Sequence, residues 1–218
     1  MNSIPAEVRT PLATPRVVAI SGVLFSALLT LSLVLIRLVV PADPTDPGEW
    51  LTDVRLRGLV RLALNLIPFT GITFLWFMGV LRNRIGLLED KFLATVFLGS
   101  GLLFVAMLFA SAAVSGAMLE TFASGDQPPV NSETYALTRR LCYTLINPFG
   151  IRMAAVFIFV NSMVALRTTS LPRWLAFVGF AVGLVLLLVI TNFAWIVLLF
   201  PLWVLLVSVY ILVTEFCR

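Results

Sequence analysis

The sequence predicts an all-α fold, a polytopic transmembrane helix bundle of about six spans with both termini cytoplasmic. Three observations predict it. Hydrophobic residues make up 60% of the 218-residue chain and charged residues 12%, about half the roughly 25% charged content of soluble domains. Most of the chain falls into apolar runs free of Asp, Glu and Lys, each long enough for the roughly 20 residues that a bilayer core requires. Lys and Arg then collect on one side of the connections between those runs.

Residues 1–16 contain three prolines and mixed charges, a polar leader that cannot pack alone and is expected to be poorly ordered. The first span is 17–40. It is too long for the apolar region of a signal peptide, and the stretch Arg37 to Pro41 lacks a small-x-small cleavage signal, so it reads as a retained span. Pro41 to Pro47 is a Pro/Asp turn, and Asp46 with Glu49 three residues on resembles a capping box. Trp50, Leu51, Val54 and Leu62 form an apolar helical stripe, with Asp53, Arg57 and Arg61 off it, which suits the interface or the wet first turns of a span.

The second span is 62–81 and the third 92–119, joined by the basic loop Arg82 to Lys91. The third is long enough to tilt, and its small residues, Leu98-Gly-Ser-Gly101 and Ala110 to Ala117, allow close helix approach. Ser124 to Pro129 is the most loop-like stretch, after which Asn131 or Ser132 can cap a helix. The fourth span is 141–166. The last apolar tract, 174–213, is twice one span, and one helix of about 40 residues would be about 60 Å long against a core of about 30 Å. It therefore divides at Thr191 to Trp195, into 174–190 and 196–213.

With six spans, eight Lys and Arg fall on the side of the termini and five on the other, while acidic residues run four against seven. The basic residues set orientation, and they place both termini in the cytoplasm.

The second and fourth spans open alike, Arg61-Leu-Ala-Leu-Asn-Leu-Ile-Pro-Phe-Thr-Gly-Ile72 beside Arg140-Leu-Cys-Tyr-Thr-Leu-Ile-Asn-Pro-Phe-Gly-Ile151. Both end in Leu-Arg. Pro68 and Pro148 each free a carbonyl one turn back and permit a kink, and Asn65, Thr70 and Asn147 stand close enough to satisfy what the prolines leave open.

Arg152 is the residue most suggestive of a function. It lies about a dozen residues from either end of its span, where a charge costs at least about 2.5–3.5 kcal/mol. No carboxylate lies deep in any span, and Glu120 is the nearest in depth, which leaves Asn147, Asn65, Asn161, Tyr143, freed carbonyls, lipid or another subunit as partners. The functional reading is an anion, lipid-headgroup or quinone-carbonyl contact; the structural alternative is an arginine bonded to carbonyls around Pro148. Asn65, Asn147, Asn161 and Asn192 otherwise read as interhelical glue, and Arg37 as a cation that reaches the headgroups by its stem.

The absence of histidine removes the commonest general base and metal ligand together. No carboxylate pair lies within a span, and there is no phosphate-binding Gly loop or Cys pair with metal spacing, so no catalytic residues, metal or cofactor are expected. Cys142 and Cys217 fall on opposite sides of the membrane and are not expected to pair. Lys91, the single lysine, sits in a loop, against a retinal protein, and proton-coupled transport would need membrane Asp, Glu or His. Two functions survive: a non-catalytic accessory or self-associating bundle, and a channel, carrier or lipid- or quinone-binding protein centred on Arg152. The partners expected are membrane lipids and a membrane protein or a second copy, with no nucleic acid.

Phe74-Leu-Trp-Phe-Met-Gly-Val-Leu-Arg-Asn-Arg-Ile-Gly86 and the stretch Glu89 to Phe104 resemble uncharacterised multi-pass membrane proteins of actinobacterial type, over roughly the second and third spans. The resemblance implies a bacterial cytoplasmic-membrane protein and carries no activity or binding residue with it.

Overall fold

The computed structural model describes residues 15–41, 46, 48–85, 91–123, 133–168, 171–188 and 195–216. The leader up to residue 14, the middle of the basic loop, the Pro-rich loop with Asn131 and Ser132, the polar break with Asn192, and Cys217 lie outside the described residues.

Among the described residues all regular structure is helical, as it must be where hydrocarbon supplies no partner for a free backbone group. The helices are α1 (Pro15–Val39), α2 (Val54–Ile85), α3 (Lys91–Ala123), α4 (Glu133–Thr144), α5 (Ile151–Thr168), α6 (Arg173–Leu188) and α7 (Leu199–Phe216). A π-helical turn, Leu145–Gly150, joins α4 to α5, so these two form one continuous rod, Glu133–Thr168. Five stretches are long and apolar enough to cross a membrane, the rod counting as one; α6 is a shorter apolar helix of 16 residues, about 24 Å against a core of about 30 Å.

Among the described residues every predicted span is helical apart from Val40 at the end of the first, but two begin earlier than hydropathy suggests. The second starts at Val54 rather than 62 and the fourth at Glu133 rather than 141. Apolar runs mark only the part of a helix inside the hydrocarbon, whereas the helix itself continues until a cap stops it. The cap of α2 is Asp53, whose Oδ1 accepts from the backbone N–H groups of Arg55 at 2.7 Å and Leu56 at 3.4 Å, the geometry of an N-cap. Asp46 is not a cap: it pairs with Arg139 on α4. The apolar stripe also divides, because Trp50 and Leu51 are buried while Val54 and Leu62 are exposed. Trp50 and Leu51 belong to a separate 3-10 turn, Glu49–Leu51, so they do not share a helical phase with α2.

α1 packs along α2 and α7, α3 along α2 and α5, and α6 along the outer side of α5. The centre is phenylalanine. Phe25, Phe74, Phe104, Phe157 and Phe200, from α1, α2, α3, α5 and α7, are all buried, with ring centroids 4.6 Å apart for Phe25–Phe74, 5.2 Å for Phe74–Phe157 and 4.7 Å for Phe104–Phe200. Such tilted and edge-on contacts suit aromatic quadrupoles, and here they fill the bundle axis. A second cluster, with Val39, Trp50, Val60, Leu119, Phe122 and Tyr135, closes the end where α1 finishes.

Candidate functional site

The fourth span carries most of the polar residues singled out in the sequence. Arg139, Tyr143 and Asn147 are spaced by four, so they descend one flank of α4. Arg152 is five residues beyond Asn147. In an unbroken α-helix it would stand about 140° round from Asn147, but the intervening turn has i→i+5 hydrogen bonding, the Ile151 N–H donating to the Ile146 carbonyl. Five residues is one turn of that wider coil, which brings Arg152 back toward the Asn147 side.

Proline explains the bonds within the turn. In an i→i+5 register the Tyr143 carbonyl would take its hydrogen from residue 148, which is proline and has none. The Asn147 side chain supplies it, Nδ2 donating to the Tyr143 carbonyl at 3.2 Å. Arg152 donates through Nη1 to the Pro148 carbonyl at 2.9 Å. That is the one hydrogen bond its guanidinium makes among the described residues, and it has no carboxylate there. Arg152 and Asn147 are half-buried and Tyr143 is exposed.

The described part of α6 packs along α5. Its Gly183 sits against Phe159 and the Ala155 carbonyl, and its Gly179 against Ser162, so α6 runs antiparallel to α5. One further turn along α6, to Leu187 and Leu188, comes level with Arg152 by helical rise; residues 189–194, which follow, lie outside the described residues.

The far end of the row meets α1. Arg139 donates to the carbonyls of Pro41 and Asp46 and forms an ion pair with Asp46 Oδ2, N to O 3.6 Å. Tyr135, one turn back, donates its O–H to Asp46 Oδ2 at 3.2 Å and accepts from Trp50 Nε1 at 3.3 Å. Gly48 has φ +85°, and a Cβ there would stand 2.7 Å from Tyr135 Cζ; both the backbone conformation and the close ring require glycine. Together these contacts hook the α1–α2 connection onto α4. Beside them Arg37 is half-buried, in electrostatic range of Arg139 and Tyr143.

The structure thus bonds Arg152 to Pro148 and Asn147 to Tyr143 along one rod and leaves the other residues of the sequence analysis apart. Asn65 is exposed on α2, and Asn161 is buried on α5, donating to the Phe157 carbonyl of its own helix at 2.8 Å. Neither Asn147 nor Asn161 bonds across helices among the described residues. Pro68 lies within continuous α2, and Thr70 donates to the Leu66 carbonyl rather than to that of Leu64, the one Pro68 frees. Glu120 pairs with Arg61 at 2.8 Å on an exposed surface, not with Arg152. The polar link between α3 and α4 comes from small residues: Ser111 Oγ donates to the Cys142 carbonyl and Ser115 Oγ to Cys142 Sγ, each at 3.2 Å.

Sequence reasoning missed Arg139 as a member of the row, though its spacing of four from Tyr143 and Asn147 was the signal for it. No known protein family, curated protein or solved structure matches this chain.

Proposed function

We propose that the protein is a non-catalytic membrane protein that holds a polar-headed amphiphile, a lipid or quinone, against the flank of its fourth span, with Arg152 as a contact. The supporting observation is Arg152 itself. A half-buried guanidinium within an apolar span, with one protein hydrogen bond and no carboxylate among the described residues, keeps donors that hydrocarbon cannot satisfy. A ligand oxygen would satisfy them. The phenylalanine-filled axis favours a ligand on the flank over a conduit through the middle. On the eight-to-five basic asymmetry the Arg37 end faces outward, and the resemblance to multi-pass proteins of actinobacterial type implies a bacterial cytoplasmic membrane.

The test is purification in native-lipid nanodiscs with mass spectrometry of what accompanies the wild type and Arg152→Leu. A lipid or quinone bound to wild type and absent from a folded mutant is the expected result. If the two preparations carry the same molecules, the ligand reading is wrong. A second reading, an accessory or self-associating bundle, rests on a different feature: Ala106, Ala113 and Ala117 point outward on α3, a small-residue face of the kind that lets membrane helices pair. Cross-linking that traps a dimer in wild type, and not in a variant with Ala106 and Ala113 both changed to Leu, is the result it requires.

A further inference from the structure

We propose that the molecule held at Arg152 is a single-chain carboxylate, a fatty acid, whose ionised head forms a forked pair with the guanidinium and whose chain runs along α5. The proposal rests on the amphiphile-binding reading and names the amphiphile.

The chain has no carboxylate in the interior of any span. No Asp or Glu falls between Glu7 and Asp43, between Asp53 and Glu89, between Lys91 and Glu120, or between Glu133 and Glu215. That holds for the undescribed residues as well, since it is a property of the sequence. Of the acids at the α4 end of the rod, Asp46 is paired with Arg139 and Glu120 with Arg61. A cation in hydrocarbon is stabilised by a partner of opposite charge, and for Arg152 that partner has to come from outside this chain. A neutral carbonyl, such as that of a quinone, would accept a hydrogen bond and leave the charge uncompensated.

Depth separates a carboxylate from a lipid phosphate. Arg152 Nη1 donates to the Pro148 carbonyl, which turns the guanidinium toward the α4 end of the rod. Leu141, where the apolar run of this span begins, stands about 10 Å farther out by helical rise. The phosphate of a membrane lipid belongs to the headgroup layer outside the hydrocarbon, and its two acyl chains hold it there. A carboxylate ends a single chain and can stand at the depth of its partner.

Shape agrees with both. Nη1 is the one nitrogen of Arg152 bonded among the described residues, so Nε and Nη2 remain side by side, the pair that meets both oxygens of a carboxylate. Val156, Phe159 and Met163 continue the Arg152 face at helical spacing, each half-buried or exposed. Phe159 is met from one side by Gly183 and Phe180 of α6. An apolar stripe one residue wide matches one acyl chain rather than two.

The experiment offers the purified full chain in detergent palmitate, hexadecanol, menaquinone and phosphatidylglycerol, and reads retention by native mass spectrometry. Wild type is expected to retain palmitate over hexadecanol by about tenfold or more, as one charge-assisted pair would give. Arg152→Gln should lose that preference. Arg152→Lys, which keeps the charge without the fork, should retain a reduced one, and it serves if Arg152→Gln does not fold. A second measurement needs no variant: palmitate isotopically labelled at its carboxyl carbon is followed by NMR as pH is lowered. The bound carboxyl should stay ionised at a pH where the same acid in empty micelles is protonated, because a neighbouring guanidinium favours the charged form. No preference for palmitate in wild type, an undiminished preference in both variants, or a bound carboxyl that titrates with the micellar acid overturns the fatty-acid site. If menaquinone or phosphatidylglycerol is retained instead and is lost in Arg152→Gln, the fatty acid falls and the amphiphile reading stands; if nothing retained depends on Arg152, both fall.

Discussion

At the scale of single residues, what a side chain does here follows from what stands opposite it. Gly22 on α1 faces Ser208 and Phe77: a Cβ would come 2.0 Å from Ser208 Oγ and 2.9 Å from a Phe77 ring carbon. Gly79 on α2 has nothing within 4 Å of a Cβ. Gly22→Val should therefore lower stability by about 1–3 kcal/mol, the usual cost of overpacking, while Gly79→Val should stay within about 0.5 kcal/mol of wild type. Reversible unfolding in mixed micelles measures both, and equal losses would mean that α1 does not approach α7 and α2 as described. Phe74 makes ring contacts with Phe25, Phe77, Phe104, Phe157 and Phe200. Phe74→Ala should cost on the order of 3 kcal/mol in the same assay through the cavity it leaves.

At the scale of elements, the π turn is the feature with consequences. One residue too many for an α-helix is absorbed between Tyr143 and Arg152, in the turn that carries Asn147 and Pro148. Deleting Asn147 should restore an α-helix and leave α4 close to its present rotation about α5, because the wider turn already absorbs the extra residue. Arg139 would then stay beside Asp46. A disulfide or short cross-link between cysteines at positions 46 and 139 should form readily both in the full-length chain and in the deletion. A several-fold fall in the deletion would show that the turn does not absorb the residue and that the packing of α4 on α3, through Cys142, Ser111 and Ser115, does not hold α4 in place by itself. A simpler variant tests the hook itself: Arg139→Gln should speed proteolysis of the α1–α2 connection several-fold, since Asp46 and Pro41 lose the side chain that ties them to α4.

At the scale of the whole molecule, orientation and depth are the open physical quantities. With Cys142 and Cys217 changed to Ser, a cysteine at position 120 should react with a membrane-impermeant maleimide on intact cells and one at position 91 should not. The opposite pattern would invert the topology and move the Arg37 end to the cytoplasmic face. The fold itself was legible in the sequence because each span announces itself by composition, and the six apolar tracts are six helical stretches. The site was half legible. Arg152, Asn147, Tyr143 and Pro148 share one helix, so their spacing already relates them. Asn65 and Asn161 were grouped with them by residue type alone, and type does not say which side of a helix faces which neighbour.

What the sequence by itself determined is the solvent of this protein and the number and order of its helical segments, because burying apolar residues in hydrocarbon depends on composition along the chain and on little else. Tertiary structure alone decided which polar groups meet. Asp46 is drawn to Arg139 and Tyr135 of α4 rather than to the start of α2, and Glu120 meets Arg61 rather than Arg152. The physical reason is that helix packing fixes rotation and depth through many small contacts between residues far apart in the chain, whereas hydropathy records only how far each segment extends.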